Sequence, residues 1–243
     1  IMSSVFVTGA NRGIGLGLVK ELLKRKDVGV LFATHRAGSD DKDLRSIKDP
    51  RLHVLEMDVN DDRSIALATD QVRAKVGDAG LDILINNAGL LVPYDTNGSV
   101  IRKDLLKQFD VNSAAPLIVA QNFLELLKRA GKGSKKMAKL VTISSMWGSI
   151  GTNSGSYGRD AIAYNMSKAA VNMMTKTLST DWKDYGIVPV SLCPGWVQTE
   201  MGGSSAAITV DESASNLISS IMDKITVQNS GGFYDRTMKI IPY

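Results

Sequence analysis

Val5-Phe6-Val7-Thr8-Gly9-Ala10-Asn11-Arg12-Gly13-Ile14-Gly15 runs from an apolar, β-branched stretch through three glycines into an apolar helical pattern. Glycine lets such a turn be tight and brings backbone N–H groups close to a ligand. The helix start behind it carries unpaired donors and the positive end of the helix dipole, which suits a pyrophosphate. The spacing is G-x-x-x-G-x-G rather than the commoner G-x-G-x-x-G, and glycine turns of this kind also serve packing alone. At the first strand of a chain that alternates strands and helices, it reads as a dinucleotide cradle. Gly9, Asn11, Arg12, Gly13 and Ile14 are its expected contacts.

Strand-like runs recur at Ser4–Thr8, Val28–Thr34, Leu52–Met57, Leu81–Ile85, Lys139–Ser144, Ile187–Cys193 and Gly232–Tyr234. Helical patterns fall between them near Ile14–Arg25, Asp40–Ile47, Asp61–Val76, Ala114–Arg129, Ala161–Tyr185 and Asp211–Ile225. Strand–helix–strand alternation needs crossovers, and crossovers make parallel sheets covered on both faces. Strands such as Ile83-Leu84-Ile85 are apolar throughout, as double cover demands. The expected fold is α/β: a doubly wound (Rossmann) parallel sheet of about seven strands with helices on both faces. No composition shift or repeat marks a second unit, so residues 1–243 read as one nucleotide-binding and catalytic domain.

Of the 243 residues, 44% are hydrophobic and 22% charged, the balance of a soluble globular chain. Twenty-nine Lys and Arg against 25 Asp and Glu leave +4, too mild and scattered for a nucleic-acid partner. The basic patch around Gly131–Lys136 has no aromatics to stack bases and reads as a solvated loop. Two histidines and one cysteine give no zinc ligand set and no disulfide, and neither His35 nor His53 lies in a hydrolase setting. No run approaches the roughly 20 apolar residues of a membrane span. The first strand begins too early to leave room for a leader, so a cytoplasmic protein is expected.

The end of the second strand decides which dinucleotide fits. NAD sites place an acid there, about 20 residues past the glycines, to hold the ribose 2′-hydroxyl. Ala33-Thr34-His35-Arg36 offers none, and Asp40 and Asp41 come only later. Arg36 suits a bidentate pair with a 2′-phosphate, and Arg12 is expected to reach the same group. Either arginine alone reads as ordinary surface; both beside one pocket, with the acid missing, favour NADP(H).

Tyr164-Asn165-Met166-Ser167-Lys168 sets a phenol and an ammonium four residues apart on one helix face. A phenol titrates near pH 10, and a cation alongside lowers that by favouring the phenolate. The strand before this helix ends Ile143-Ser144-Ser145, so hydroxyls project at the carboxyl edge, where open α/β sheets bind ligands. Alone, Y-x-x-x-K is a chance pattern and Ser145 a turn or cap serine.

Together, these motifs resemble the short-chain dehydrogenase/reductase family along nearly the whole chain. The family's glycine motif matches Thr8 to Gly15, and its N-N-A-G matches Asn86-Asn87-Ala88-Gly89. Its serine, tyrosine and lysine match Ser145, Tyr164 and Lys168, and its helix-embedded asparagine matches Asn112. Its P-G-x-V-x-T matches Pro194-Gly195-Trp196-Val197-Gln198-Thr199. Asp58 and Val59 match the pair the family sets against adenine, and Arg12 and Arg36 resemble the basic positions of its NADP-preferring members. Within the family, the likeness is to the Sniffer-like and C-factor-like carbonyl reductase branch. Ser145 and Tyr164 are 19 positions apart, wider than the family's commonest spacing, and the extra residues fall in Gly151–Asp160.

The resemblance implies hydride transfer to a carbonyl carbon without a metal, Tyr164 donating the proton and Ser145 holding the carbonyl oxygen. Lys168 would lower the tyrosine pKa and bind the nicotinamide ribose; Asn112 would hold a water linking Lys168 to solvent. Cofactor contacts are implied for Asn86, Ala88, Gly89, Pro194, Gly195, Val197 and Thr199, as well as Tyr164 and Lys168. Leu91, Met146, Trp147, Tyr157, Trp196 and Met201 adjoin these motifs and suit a small apolar carbonyl substrate, with Gly202–Thr209 as a mobile connection. Two helices are apolar beyond one stripe, Ala114–Arg129 and the one after Tyr164, which fits a homodimer. The alternatives are an NADP-dependent alcohol dehydrogenase or acyl-chain reductase of the same family, and a non-catalytic dinucleotide sensor.

Overall fold

The computed structural model describes residues 2–99, 101–133, 137–154 and 161–243. Seven strands pair in parallel in one sheet: β1 (Ser3–Val7), β2 (Val28–His35), β3 (Leu52–Glu56), β4 (Ile83–Asn86), β5 (Ala138–Ile143), β6 (Ile187–Cys193) and β7 (Gly232–Asp235). Their order is β3-β2-β1-β4-β5-β6-β7. The chain winds outward from β1 in one direction and then from β4 in the other. The crevice outside the carboxyl ends of β1 and β4 is therefore the switch point at which doubly wound sheets bind ligands.

Alternation along each strand feeds two cores. Val5, Val7, Ile83, Ile85, Val141 and Val190 face α1 (Gly13–Lys24) and α8 (Val210–Ser219), packing with Leu18, Leu22 and Leu217. Phe6, Phe32, Leu84 and Leu140 face the other way, toward Ile65 and Val72 of α3 (Asp62–Val76) and Leu178 of α7 (Ile162–Asp181). Burying a large apolar side chain stabilises by about 1.5–3 kcal/mol, and both layers are continuous beneath the crevice.

The expected helix at Asp40–Ile47 is α2 (Lys42–Ser46). The expected helix at Ala114–Arg129 is two segments, α5 (Ala115–Asn122) and α6 (Leu124–Lys132). An unforeseen α4 (Arg102–Phe109) precedes them and joins α5 through a π turn, Asp110–Ala114. Another π turn, Ser220–Lys224, ends the run expected at Asp211–Ile225. Most of the apolar surplus on α5 and α6 is covered by the same chain: Val119, Ala120, Phe123, Leu126 and Leu127 all sit in the second core. The surplus on α7 is not, since Met166 and Met173 are exposed. Among the described residues, no helix is long and apolar enough to cross a membrane. Tyr157, Lys135, Lys136 and positions 155–160 lie outside the described residues.

Candidate active site

The glycine turn is built by its neighbours. Gly9 has φ +63°, a left-handed conformation that glycine adopts without strain. A side chain at Gly15 would collide with the Gly9 carbonyl and the Asn87 amide. Ala10 N–H donates to the Thr34 carbonyl at 2.7 Å, which pins the turn to β2. Thr8 Oγ1 accepts from the N–H groups of Asn87 and Ala88 at 3.0 and 2.9 Å, and Asn87 Nδ2 returns bonds to the Thr8 and Gly9 carbonyls. The Asn86–Gly89 turn and the glycine turn are thus one stitched unit, and Asn86 ties it to α5 through the Pro116 carbonyl. Arg12 at the N-cap of α1 makes no side-chain cap bond, and the first N–H groups of a helix have no partner within it, an arrangement that suits an anion.

Thr199 packs over Gly13, its methyl 3.4 Å from where a side chain there would begin. Pro194 is held by Ser213, whose hydroxyl donates to its carbonyl at 2.8 Å. Val197 is buried and bridges to Ile208. Gly202–Thr209, expected to be loosely held, is pinned: Trp196 Nε1 donates to the Gly202 carbonyl at 2.8 Å, and Gln198 N–H donates to Ile208 at 2.9 Å. Asp58 and Val59 follow β3 half-buried, with the Asp58 carboxylate accepting from Asn60 N–H at 3.0 Å.

At the end of β2, Arg36 is exposed. The later acids are turned to other uses. Asp41 pairs with Arg45, whose guanidinium holds its carboxyl below the usual range, and lies 3.1 Å from His35 Nε2. Asn11 Nδ2 donates to the Asp40 carbonyl, bracing the glycine turn against this loop. Arg12, expected to reach the 2′-phosphate, instead pairs with Glu200 across the mouth of the crevice, both side chains being well exposed.

Ser145 closes β5 and caps the short turn Met146–Gly148, its Oγ accepting from Trp147 N–H at 3.2 Å. It is a cap serine, as that reading expected. Tyr164 is 9% exposed, and Trp147 meets its ring edge-on at 5.9 Å. Burial pushes the phenol up to about 12, with the nearby Ser145 hydroxyl countering only in part. Lys168 lies 5.6 Å from the ring centre and donates to the Ile143 carbonyl at 2.8 Å. Its own burial pushes it down to about 8. The expected lowering of the phenol by Lys168 is therefore absent in this arrangement, because desolvation dominates both groups.

Asn112 sits in the π turn, buried, close to Lys168. A side chain at Gly89 would stand 3.4 Å from Asn112 Oδ1 and 3.7 Å from Lys168 Nζ, so the bare glycine keeps that space open. The Asn112 amide is engaged: Oδ1 accepts from Leu90 N–H, and Nδ2 donates to the Leu90 carbonyl and to Ser167 Oγ. Both amide hydrogens are spent on protein, leaving one Oδ1 lone pair for the expected water. Met146 turns toward Cys193, Phe233 and Ile241 rather than the crevice, whereas Trp196 and Met201 are exposed. Ser167 and Asn172 were not singled out, although Tyr164, Lys168 and Asn172 form a polar i, i+4, i+8 stripe.

A glycine turn at a helix start and a buried phenol near an ammonium meet at one sheet edge, an arrangement that fits the oxidoreductases built on doubly wound sheets. More narrowly, the chain belongs to the short chain dehydrogenase family, whose model matches residues 3–208. Similar solved structures include the Sniffer protein of Caenorhabditis elegans, 42% identical with a TM-score of 0.90, covering 100% of this chain and 99% of that one. NADPH-bound carbonyl reductase from chicken fatty liver is 35% identical with a TM-score of 0.93, covering 100% and 94%. The C-signal protein of Myxococcus xanthus is 34% identical over 163 residues, 67% of this chain and 93% of that protein.

Proposed function

We propose that this short-chain dehydrogenase is an NADPH-dependent carbonyl reductase acting on small apolar aldehydes, ketones or quinones. The observation that carries the reading is Tyr164, a buried phenol on one helix face with Lys168, whose ammonium lies 5.6 Å from the ring centre, and edge-on to Trp147 beside the Ser145 turn. Reduction needs a protonated acid at the carbonyl oxygen, and this phenol keeps its proton at neutral pH. The same group run in reverse would serve alcohol oxidation, whereas a mere sensor has no use for it.

The crevice fits NADP(H) on three counts: the uncapped start of α1, the glycines where side chains would collide, and Arg36 with no acid at the end of β2. Gly9, Arg12, Gly13 and Ile14 would hold the phosphates, with Asn11 bracing the turn. Asp58 and Val59 would meet the adenine. Asn86, Ala88, Gly89, Pro194, Gly195, Val197 and Thr199 would line the ribose and nicotinamide end. The cofactor supplies the hydride. Ser145 donates a hydrogen bond to the substrate oxygen, and Tyr164 gives that oxygen its proton. Lys168, anchored on the Ile143 carbonyl, holds a positive charge beside the phenolate left behind. Leu91, Trp147, Trp196 and Met201 offer an apolar lining. NADPH oxidation across a panel of quinones, aldehydes and ketones tests the reading; no turnover with any of them overturns it.

The pH profile is a second test. Tyr164 stays protonated throughout the working range, whereas Lys168 loses its charge as pH rises through about 8. With saturating NADPH, kcat for reduction should be level to about pH 7.5 and fall above about 8. Lys168→Arg, whose guanidinium keeps its charge, should flatten that fall. A wild-type profile flat to about pH 10 would assign no role to the ammonium.

Association belongs to the same reading: a homodimer through α7 and α4. Met173 is 66% exposed and Met166 47%, while neighbouring α4 exposes Leu106 beside a groove lined by Phe109 and Ala114. Met173→Asp should shift dimer to monomer, since an unpaired buried charge costs several kcal/mol. Sedimentation giving a wild-type monomer at micromolar concentration counts against the dimer.

A further inference from the structure

We propose that Asn172 is a positioning residue that sets Ser145, acting through the turn that carries it. The inference rests on reading Ser145 as the group that holds the substrate oxygen. Asn172 is 2% exposed and lies on α7, one turn beyond Lys168. Its single amide is spent at both ends of the Ser145 turn. Oδ1 accepts from Ser144 Oγ–H at 2.7 Å, and Nδ2 donates to the Gly148 carbonyl at 3.2 Å. Ser145, Met146 and Trp147 span the gap between those two anchors.

The turn has no slack. A side chain at Gly148 would begin 2.6 Å from the Lys168 carbonyl carbon and 2.8 Å from its Cβ, so the turn lies directly on the helix backbone. On its other side, Met146 N–H donates to Cys193 Sγ at 3.2 Å. The turn is therefore clamped between β6 and α7, while Tyr164 and Lys168 ride on α7 itself. One amide fixes the spacing between the helix that carries the acid and the turn that carries the oxygen-binding hydroxyl. A buried amide is costly unless both ends are paired, and α7 runs unbroken without help from this side chain. Registration of the two arms gives the amide its purpose.

The test is a double-mutant cycle at saturating NADPH. A misplacement of about 1 Å can cost about 100-fold in rate. Asn172→Ala should lower kcat by about 10–100-fold, with the NADPH Kd within about twofold. Ser144→Ala, which removes one of the two bonds, should cost about 3–10-fold. In a Ser145→Ala background no hydroxyl remains to be misplaced, so Asn172→Ala should cost less than about threefold. A lowered melting temperature with unchanged kcat, or the same fold-loss in both backgrounds, overturns the inference. Should Asn172→Ala fail to fold, the cycle with Ser144→Ala decides on the same criteria. Ser145→Ala turning over at the wild-type rate sinks the reading of Ser145 and the inference with it. A slow Ser145→Ala beside a fast Asn172→Ala sinks the inference alone.

Discussion

Tyr164→Phe is expected to lower turnover by about 10²–10⁴ while leaving cofactor affinity nearly intact, the usual worth of a positioned general acid. The change removes one hydroxyl and keeps the ring, its volume and its edge-on contact with Trp147. A hydrogen bond lost with the hydroxyl is worth about 1 kcal/mol, small against the 5–15 kcal/mol or so that keeps a domain folded. A slow variant with an unchanged melting temperature is thus slow for chemical reasons. Lys168→Ala should behave differently. It leaves the Ile143 carbonyl without its donor, removes the charge beside the phenol, and takes away a proposed ribose contact, so turnover and NADPH affinity should fall together. Titrating NADPH by fluorescence alongside the kinetics separates the two patterns. Wild-type turnover by Tyr164→Phe would move the acid elsewhere.

These assignments drew unequally on the sequence. A strand covered on both faces must be apolar at every position, so Val5-Phe6-Val7 and Ile83-Leu84-Ile85 declared themselves without knowledge of their partners. Strand ends moved by only a residue or two, and β6 kept its bounds, whereas the ends expected at Tyr185 and Ile225 fall back to Asp181 and Ser219. α4 escaped because Arg102, Lys103, Asp104, Lys107 and Gln108 leave only Leu105, Leu106 and Phe109 to mark an apolar face. Two turns are too few for the period to register. The π turn around Asn112 had no local marker, since it is held by Leu90 and Ser167, contacts that only the folded chain makes. π turns of this kind often lie at functional sites. Electrostatics was the least legible part. Proximity of Lys168 to Tyr164 followed from helical spacing, but the degree of burial that overrides their attraction did not. Nor can spacing show that Glu200 meets Arg12 across the crevice, or that Arg45 takes up Asp41.

That last pair of contacts bears on cofactor choice, where NADPH should be favoured over NADH by roughly 10–100-fold. A hydrogen bond to a charged group contributes about 1.5–3 kcal/mol net, and each 1.4 kcal/mol is about a factor of ten. Arg36 alone therefore accounts for the range. Arg12 must first leave Glu200, but an ion pair this exposed is worth only about 0–1 kcal/mol, so the exchange still favours the phosphate. Asp41, the acid that would otherwise repel a 2′-phosphate from the adjoining loop, has its charge offset by Arg45. Arg36→Ala should collapse most of the preference by weakening NADPH while sparing NADH, which has no phosphate there to lose. Arg36→Asp should reverse it, because the new carboxylate repels the phosphate and accepts from the ribose hydroxyl. Glu200→Gln should hold the ratio or raise it slightly by freeing Arg12. Both cofactors need comparison at several salt concentrations, since screening weakens exposed phosphate contacts first. Equal efficiency with NADH and NADPH in the wild type, or a ratio unmoved by Arg36→Ala, would reduce these arginines to solvated surface.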